Sequence, residues 1–465
     1  MSLLIVLAAL CFLMLVAYRG YSVILFAPVA ALGAVLLTDP SLVAPMFTGL
    51  FMDKMVGFLK LYFPVFLLGA VFGKLIEISG FSKSIVAAVI RMVGSERAML
   101  SIVLVCALLT YGGVSLFVVV FAVYPFAAEL FRQSGIPKRL IPGTIALGAF
   151  TFTMDALPGT PQIQNIIPTS FFGTTGWAAP WLGTLGGVFI LLLGMSYLEW
   201  RRRVAARAGE GYGDDLRNEP APFRGDRLAH PLIAVLPLVL VGVSNFLFTG
   251  WIPELYGQTH AFVPAVIGDP PPVTQEVARI AAIWAVLGAL LTGILSILVL
   301  AWKPVSAAFA EGSRNAIGGA LLASMNTASE YGFGAVIAAL PGFLLVANAL
   351  AAIPDPLINE AVSVTALAGI TGSASGGMSI ALAAMADSFI ANAQAAGIPM
   401  EVLHRVASMA SGGMDTLPHN GAVITLLAVT GLTHRQSYKD IFAITLIKTL
   451  AVFFIIGLYY AFGVV

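Results

Sequence analysis

Charged residues are scarce in this sequence. Only 10% of its 465 residues are Asp, Glu, Lys or Arg, whereas a soluble globular domain has about 25%. This shortage excludes a soluble fold. A formal net charge of +1 also gives no sign of a nucleic-acid partner.

Cysteines and ligand-binding motifs are scarce as well. Both cysteines lie in apolar runs, where we expect packing residues rather than a disulfide or a metal ligand. The sequence has no G-x-x-x-x-G-K-[ST] motif, which excludes an ATP-binding loop of that type. Four histidines fall near predicted loops with no spacing typical of zinc: His230, His260, His404 and His434. We therefore expect no cofactor and no metal.

Long apolar runs take the place of charge. The mean hydropathy is +0.95, and the runs at 2–18, 21–37 and 442–464 approach the roughly 20 apolar residues that cross about 30 Å of hydrocarbon. The first run lacks the basic region and cleavage site of a signal peptide, and a second run follows it directly, so we interpret it as a retained helix. The sequence predicts an all-α polytopic protein whose partner is the lipid bilayer.

The distribution of basic residues predicts an orientation. The one long polar segment, 201–230, is rich in arginine, and basic loops stay on the cytoplasmic side. The segments 38–52 and 251–276 contain no Lys or Arg, so we expect them on the other side. In a bacterial inner membrane this arrangement places the N- and C-termini in the periplasm.

An internal duplication flanks the 201–230 linker. Four short matches occur in the same order on both sides, with offsets that drift only between 260 and 265 residues. Basic residues lie at opposite ends of the matching last helices, which predicts opposite orientations for the repeats 1–200 and 231–465. Inverted repeats of this kind are typical of secondary transporters. The matches are GAVFGKL (69–75) with GAVIAAL (334–340), GGVS (112–115) with GGMS (376–379), GIP (135–137) with GIP (397–399), and MDALP (154–158) with MDTLP (414–418).

Gly-rich interruptions divide one apolar run in each repeat. The stretches 110–115 and 370–379 leave arms too short to span a bilayer comfortably. Arg97 and Arg132 flank the first pair of arms, as a re-entrant hairpin opening to the cytoplasm requires. Two ordinary short helices packed through glycine are the alternative, and the repeat symmetry favours hairpins.

Prolines interrupt a second run in each repeat. Pro158 and Pro418 lie inside would-be spans, and proline unwinds a helix because it lacks an N–H and clashes with the preceding turn. The freed helix N-termini attract anions, so two hairpin tips and two unwound helices are expected to converge on one site. Asp155 and Asp415 precede these prolines. A mid-membrane acid is functional by default, which predicts coupling to a proton or cation; capping of the unwound loop is the alternative.

Several polar residues near these interruptions are candidates for substrate binding. His419 and Asn420 align with Gly159 and Thr160, and this asymmetry suits a substrate better than a scaffold. Glu330 adds an acid to an otherwise apolar span, and the sequence leaves open whether it faces the substrate or a subunit contact. The predicted substrate-binding residues are Gly113, Ser115, Thr160, Gln162, Gly377, Ser379, His419 and Asn420.

Three segments resemble a known family: NTASEYGFGAVIAALPGF (326–343), SASGGMS (373–379) and ASGGMDTLPHNGAVI (410–424) are similar to the gluconate:proton symporter family (GntP) of the ion transporter superfamily. The resemblance implies uptake of a small hydroxy-carboxylate, such as gluconate or 3-hydroxybutyrate, usually with protons. It further implies a homodimer in which a transport domain moves like an elevator against a scaffold, and a site made of 112–115, 375–379, 154–162 and 414–421.

These observations together predict a symporter for a small organic anion, with the scaffold at about 1–95 and 231–355 and the transport parts at about 96–200 and 356–465. Sodium in place of the proton and, less favoured, an anion channel are the alternatives. We expect no enzymatic activity, because no G-x-S-x-G context supports a nucleophile built from Ser379.

Overall fold

Helices account for nearly all of the structure, a computed structural model that describes residues 1–19, 21–214, 217–220, 228–263, 271–418 and 420–465. The first half contains α1 (Ser2–Tyr18), α2 (Val23–Thr38), α3 (Val43–Met46), α4 (Met52–Ile78), α5 (Phe81–Val93), α6 (Ala98–Tyr111), α7 (Leu116–Gln133), α8 (Ile141–Ala149), α9 (Phe152–Asp155), α10 (Ile163–Phe172) and α11 (Pro180–Arg207). The second half contains α12 (Pro231–Tyr256), α13 (Val277–Leu300), α14 (Trp302–Ala338), α15 (Pro341–Ala351), α16 (Pro356–Thr371), α17 (Ala374–Ala395), α18 (Met400–Ser411), α19 (Gly421–Thr430) and α20 (His434–Phe462). Strands β1 (Thr259–Phe262) and β2 (Val273–Glu276) form an antiparallel pair between α12 and α13.

Six helical segments of the described residues are long and apolar enough to cross a membrane, or seven if α14 and α15, which meet at an angle of 81°, form one span. One of the six, Pro40–Ile78, is 39 residues long, so the segment 38–52 is largely helical and leads directly into α4. The prediction of an all-α polytopic membrane protein is confirmed.

The order of helices repeats in the two halves. A very long helix followed by a short one occurs as α4–α5 and again as α14–α15. A helical hairpin, an interrupted helix and a long terminal helix then follow as α6–α7, α8–α10 and α11, and again as α16–α17, α18–α19 and α20. The ends of α6 and α16 differ by 260 residues, as do the two MDxLP motifs.

The matching long helices α4 and α14 run antiparallel. A Cβ built on Gly332, near the end of α14, would lie 2.8 Å from the carbonyl oxygen of Phe51, just before α4. At the other end, a Cβ on Gly312 would lie 3.5 Å from Lys74 Cγ. Close contact at these glycines lets the two backbones approach.

The matching terminal helices α11 and α20 also run antiparallel. Arg201 Nε, near the end of α11, donates to Asp440 Oδ1 near the start of α20 at 2.6 Å. At the opposite ends, the backbone N–H of Trp181 donates to Val465 O at 3.3 Å. Helices that occupy the same place in the repeat therefore run in opposite directions, as the inverted repeat requires.

The second hairpin tip lies earlier than the sequence predicts. The first tip occupies 112–115, between α6 and α7, but the second consists of Gly372 and Ser373 alone. Gly377 and Ser379 lie in the first turns of α17 instead. The GGVS and GGMS matches are thus about one helical turn out of register, because glycine and serine recur within a few residues in this segment.

The part of the linker that the structure describes is docked on the helix ends. Lys138 Nζ pairs with Glu219 Oε1 at 2.8 Å, and Asn218 Nδ2 donates to Ala428 O at 2.7 Å. Arg139 donates to both carboxylate oxygens of Glu210, at 2.6 and 2.7 Å, and this hydrogen bonding holds the pKa of Glu210 below its ordinary value. The linker therefore ties the ends of the first-half helices to the end of α19.

Both chain termini lie at the end of the molecule opposite the linker. Ser84, which follows α4, donates to Ala229 O at the end of the linker at 2.5 Å. Ser2, by contrast, packs so closely on Gly342, at the start of α15 just beyond the end of α14, that a Cβ there would overlap the Ser2 carbonyl. Which aqueous compartment each end faces stays a prediction.

Candidate functional site

The first hairpin tip is held against the first unwound segment. α8 ends at Ala149, the short α9 ends at Asp155 and α10 begins only at Ile163, so the helix is interrupted around Pro158 as the sequence predicts. Gln162 Nε2 donates to Thr110 O at 2.7 Å and Val114 O at 3.3 Å, on either side of the tip.

Gly113 is required by the shape of this tip. Its φ of +96° lies in the left-handed region that side-chain-bearing residues disfavour, and a Cβ there would lie 3.1 Å from Pro161 Cγ. The glycine therefore permits close packing of the tip on the unwound segment. Ser115 is the residue before α7, and its side chain makes no capping hydrogen bond.

The second tip is held in the same manner. α18 ends at Ser411 and α19 begins at Gly421, which confirms the interruption around Pro418. Asn420 Nδ2 donates to Gly372 O at 2.6 Å, while its Oδ1 accepts from the N–H groups of Ala422 and Val423 at 2.7 and 3.0 Å. Both polar atoms of the Asn420 amide, Nδ2 and Oδ1, are thus engaged by the protein.

This geometry overturns the asymmetry assigned to Asn420. Gln162 and Asn420 each stand immediately before the helix that resumes after the break, and each donates to a carbonyl beside a hairpin tip. The counterpart of Asn420 is therefore Gln162 rather than Thr160. The sequence alignment is wrong by two residues here because the two unwound loops differ in length. His419 lies outside the described residues.

A buried ion pair joins the second unwound segment to α20. Lys448 Nζ lies 2.6 Å from Asp415 Oδ1 and donates to Phe150 O at 2.8 Å. Lys448 is only 1% exposed and stands at the midpoint of the 29-residue α20, where a membrane would be deepest. A charge at that depth is costly and marks a functional position.

Asp155 joins the same cluster from the first half. A Cβ built on Gly412 would overlap Asp155 Oδ2 and lie 3.3 Å from Lys448 Cε, so all three groups are neighbours. Asp155 Oδ1 has no hydrogen-bond partner among the described residues. The two aspartates from matching positions therefore lie close to one lysine, which forms an ion pair with Asp415 but none with Asp155 among the described contacts.

A second buried cation binds the backbone at Asp155. Arg405, on α18, is fully buried and donates to Asp155 O and to Asn165 Oδ1, both at 3.1 Å, and to Ala178 O at 2.7 Å. Ser408 Oγ donates to the same Asp155 carbonyl at 2.8 Å. These contacts fix the first unwound segment to α18. Two formal positive charges, Lys448 and Arg405, balance the two aspartates.

Thr160 and Gly377 have structural roles in this conformation, whereas the hydroxyl of Ser379 is buried without a partner in the described part of the chain. Thr160 Oγ1 donates to Thr153 O at 2.9 Å and closes the first unwound loop. A Cβ on Gly377 would overlap the backbone of Ala368, so the glycine lets α16 and α17 pack closely. Ser379 is fully buried, and its hydroxyl has no partner in the described part of the chain.

A surface groove opens beside the second unwound segment. A cavity of about 440 Å³ lies between α1, α16 and α20, and Met414 and Leu417, which flank Asp415, contribute to its wall. The rest of the lining is mainly apolar, with Thr365 and Thr449 as its hydroxyl groups. Within the described ranges, no group of three or more His, Cys, Asp or Glu residues is placed to hold a metal ion.

No role was predicted from the sequence for three buried basic side chains in and around the cluster. Lys448 lies in the run 442–464, which the hydropathy pattern marks only as an apolar span. A lysine near the middle of such a run itself indicates a functional position. The sequence places His404 near a predicted loop and gives no role to Arg405, but both are fully buried on α18. His404 Nδ1 lies 2.7 Å from Thr174 Oγ1, and its Nε2 lies 3.3 Å from Asn165 Oδ1. The amphipathic pattern of 400–411 is typical of a helix whose polar face is exposed to water. Here the protein surrounds that polar face, so the pattern does not predict the burial of these residues.

Known proteins resemble this chain over its whole length. No family model matches it. The uncharacterized transporter YxjC of Bacillus subtilis (strain 168) is 60% identical over 474 residues, which cover 100% of both chains. The crystal structure of the Alcanivorax borkumensis YdaH transporter, described as having an unusual topology, covers 92% of this chain and 90% of its own, at a TM-score of 0.49 and 14% identity.

The apolar spans and this identity to a transporter define the protein as a multi-pass membrane transporter. In particular, the chain belongs to the transporter family that includes YxjC of Bacillus subtilis.

Proposed function

We propose that this protein is a proton-coupled symporter of a small organic carboxylate of the gluconate or 3-hydroxybutyrate class. The observation that carries the proposal is the meeting of Asp155 and Asp415, from matching breaks in the two halves, around Lys448 at the midpoint of a span. The sequence resemblance to the GntP family supplies the substrate class.

The charge balance of the cluster supports obligatory coupling. With both aspartates ionised, Lys448 and Arg405 leave the cluster formally neutral. A proton on Asp155, whose Oδ1 lacks a partner among the described residues, leaves one positive charge in excess, and an organic carboxylate cancels it. For these four residues and the substrate, the empty and the doubly loaded states are then both neutral, and a site without net charge is the least costly to move through a low-dielectric membrane.

Proton coupling is favoured over sodium coupling by the position of Lys448. Its ammonium group already occupies the space between Asp415 Oδ1 and the Phe150 carbonyl, two oxygen ligands that a sodium ion would use. Because Lys448 is paired with Asp415, Asp155 is the aspartate that remains available to take up a proton. Gly113, Ser115, Thr160, Gln162, Gly377, Ser379, His419 and Asn420 remain the proposed surroundings of the substrate.

Movement of one part of the protein against another completes the proposal. α4 packs on α14 and α12 on α13 in the proposed scaffold, while α11 packs on α20 and α16 on α17 in the proposed transport part. We propose that these parts slide as an elevator in a homodimer in the bacterial inner membrane, with the linker in the cytoplasm.

Uphill uptake by purified protein in liposomes tests the function. A pH gradient, acid outside, should drive accumulation of labelled gluconate or 3-hydroxybutyrate, and a sodium gradient without a pH gradient should not. Asp155→Asn should abolish this accumulation but retain exchange of labelled for unlabelled acid, because the fixed neutral amide no longer needs a proton.

Two outcomes would contradict the proposal. Accumulation by Asp155→Asn equal to that of the wild type at every pH would remove the coupling role of Asp155. Equilibration of the acid without accumulation in the wild type would indicate a channel. Asp387→Asn, which changes a half-exposed acid on α17, is the matched control and should transport normally.

A further inference from the structure

Glu330 is a buried acid outside the Asp155–Lys448–Asp415 cluster. It lies on α14, is 4% exposed, and its Oε2 has no hydrogen-bond partner among the described residues. A carboxyl group is seldom buried without a partner, because its ionised form loses the solvation of water. Its position therefore requires an explanation beyond packing.

The carboxyl group of Glu330 lies on the N-terminus of α17. A Cβ built on Gly376 would overlap Glu330 Oε2 and lie 3.0 Å from Ser373 Oγ, so the carboxyl group and the Ser373 hydroxyl both adjoin the backbone of Gly376. Ser373 also caps the helix by accepting from the Gly376 N–H at 3.1 Å. Beside it, Thr327 Oγ1 lies 3.3 Å from Ser375 Oγ.

This helix end has the properties of an anion site. α17 is 22 residues long, and the free N–H groups and dipole at its start attract negative charge. Ser379, in the second turn of α17, adds a fully buried hydroxyl without a partner in the described part of the chain. A helix start, an unpartnered acid and an unpartnered hydroxyl thus coincide at the second hairpin tip.

Charged groups are absent from the immediate surroundings of Glu330 in the described structure. From α17 it meets Ser373 and Gly376, which are uncharged. On the side of α4, Gly332 contacts Phe51, and the charged residues that follow, Asp53 and Lys54, are exposed. Any change in the charge of Glu330 therefore acts directly on the helix end and on whatever binds there.

We propose that the N-terminus of α17 binds the carboxylate of the substrate, and that ionised Glu330 occupies this site until it takes up a proton. The inference rests on the proposed function and assigns a second protonation site to it. Two carboxylates cannot both be ionised at one buried helix end without strong repulsion.

Only a proton changes place in this step. It moves from water to Glu330 Oε2 and forms one O–H bond, and the neutral acid then donates that O–H to the arriving carboxylate. No other bond forms or breaks. Binding is thus linked to uptake of one proton at Glu330, and the apparent affinity should fall about tenfold for each pH unit in the range where free Glu330 is ionised.

Binding of labelled 3-hydroxybutyrate and gluconate to the purified full chain tests this between about pH 5.5 and about pH 8.5. Glu330→Gln has the shape of the protonated acid and keeps a donor. We expect its affinity at high pH to approach that of the wild type at low pH. For each pH unit, its affinity should fall by a factor about ten times smaller than in the wild type.

Glu360→Gln is the matched control. Glu360, in the second turn of α16, is fully buried and neither of its carboxyl oxygens has a partner among the described residues. It lies about 16 Å along α16 from the end of the helix that leads into the second hairpin tip. This variant should retain the pH dependence of the wild type. Glu330→Asp, whose shorter side chain withdraws from Gly376, should show an intermediate slope and serves if the glutamine variant does not fold.

A wild-type slope in folded Glu330→Gln or Glu330→Asp would overturn the inference and leave the proposed function standing. An equal loss of slope in Glu360→Gln would also overturn it, because any buried acid would then have the same effect. Absence of binding of both acids by the wild type at every pH would overturn the proposed substrate class and this inference with it.

Discussion

At the scale of single residues, Lys448 joins the two halves at the proposed coupling site. Its ammonium group binds Asp415 from the second half and the Phe150 carbonyl from the first, and it adjoins Asp155. Removal of one member of a buried pair is costly because the other is left charged and unsolvated, whereas removal of both can be nearly neutral.

We therefore expect Lys448→Met to lower the free energy of unfolding by about 3–5 kcal/mol and to abolish uptake. The double variant Lys448→Met/Asp415→Asn should recover most of the stability but not the uptake. Thermal unfolding in detergent and uptake into liposomes measure the two effects.

Lys439→Met is the control for this experiment, since Lys439 is exposed on the same helix. It should change neither quantity. If Lys448→Met were as stable as the wild type, the ion pair would not hold the cluster together, and a fully active variant would remove Lys448 from the mechanism.

At the scale of elements, the second hairpin depends on the close approach of α16 and α17. Gly377 faces the Ala368 backbone so closely that any side chain must displace one helix. The sequence suggested that this glycine belongs to the hairpin tip and contacts substrate. In the structure Gly377 packs in the first turns of α17, and the tip itself is Gly372 and Ser373. Contact of Gly377 with substrate stays a prediction.

Gly377→Ala should consequently lower the free energy of unfolding by about 1–3 kcal/mol through overpacking. Gly318→Ala is its counterpart on the exposed face of α14, where a Cβ meets nothing within 4 Å. That change should be neutral or stabilise by up to about 1 kcal/mol, since alanine favours a helix over glycine. Equal melting temperatures of the two variants would contradict the close packing of the hairpin.

At the scale of the whole molecule, the two halves are related by inversion. The antiparallel contacts of α4 with α14 and of α11 with α20 follow from this relation, and they place both termini opposite the linker. The order of basic loops predicts that the linker faces the cytoplasm.

Cysteine labelling of intact cells measures this arrangement. In a variant without Cys11 and Cys106, a membrane-impermeant maleimide should label Val465→Cys from outside and label Arg203→Cys only after permeabilisation. Ser2→Cys is the internal check and should behave as Val465→Cys does. Labelling of positions 203 and 465 from the same side would contradict the inverted arrangement of α11 and α20.

The sequence located the interruptions more accurately than the contacts around them. Pro158 and Pro418 each lie in an unwound segment, as the missing N–H and the clash of proline with the preceding turn predict. Proline alone does not decide this, because Pro64, Pro125 and Pro237 stand inside continuous helices. The partners of Gln162 and Asn420 could not be read in this way. Hydrogen bonds to tip carbonyls join residues about 50 positions apart, and no local pattern encodes them.

What the sequence by itself determined is the environment and the plan: a membrane chain, duplicated, with helices broken at Asp155 and Asp415, because hydropathy and proline act locally. What only the tertiary structure decided is which charges meet. Lys448, Arg405 and Glu330 are distant in sequence from the groups they touch, and their pairing depends on how antiparallel helices from the two halves pack.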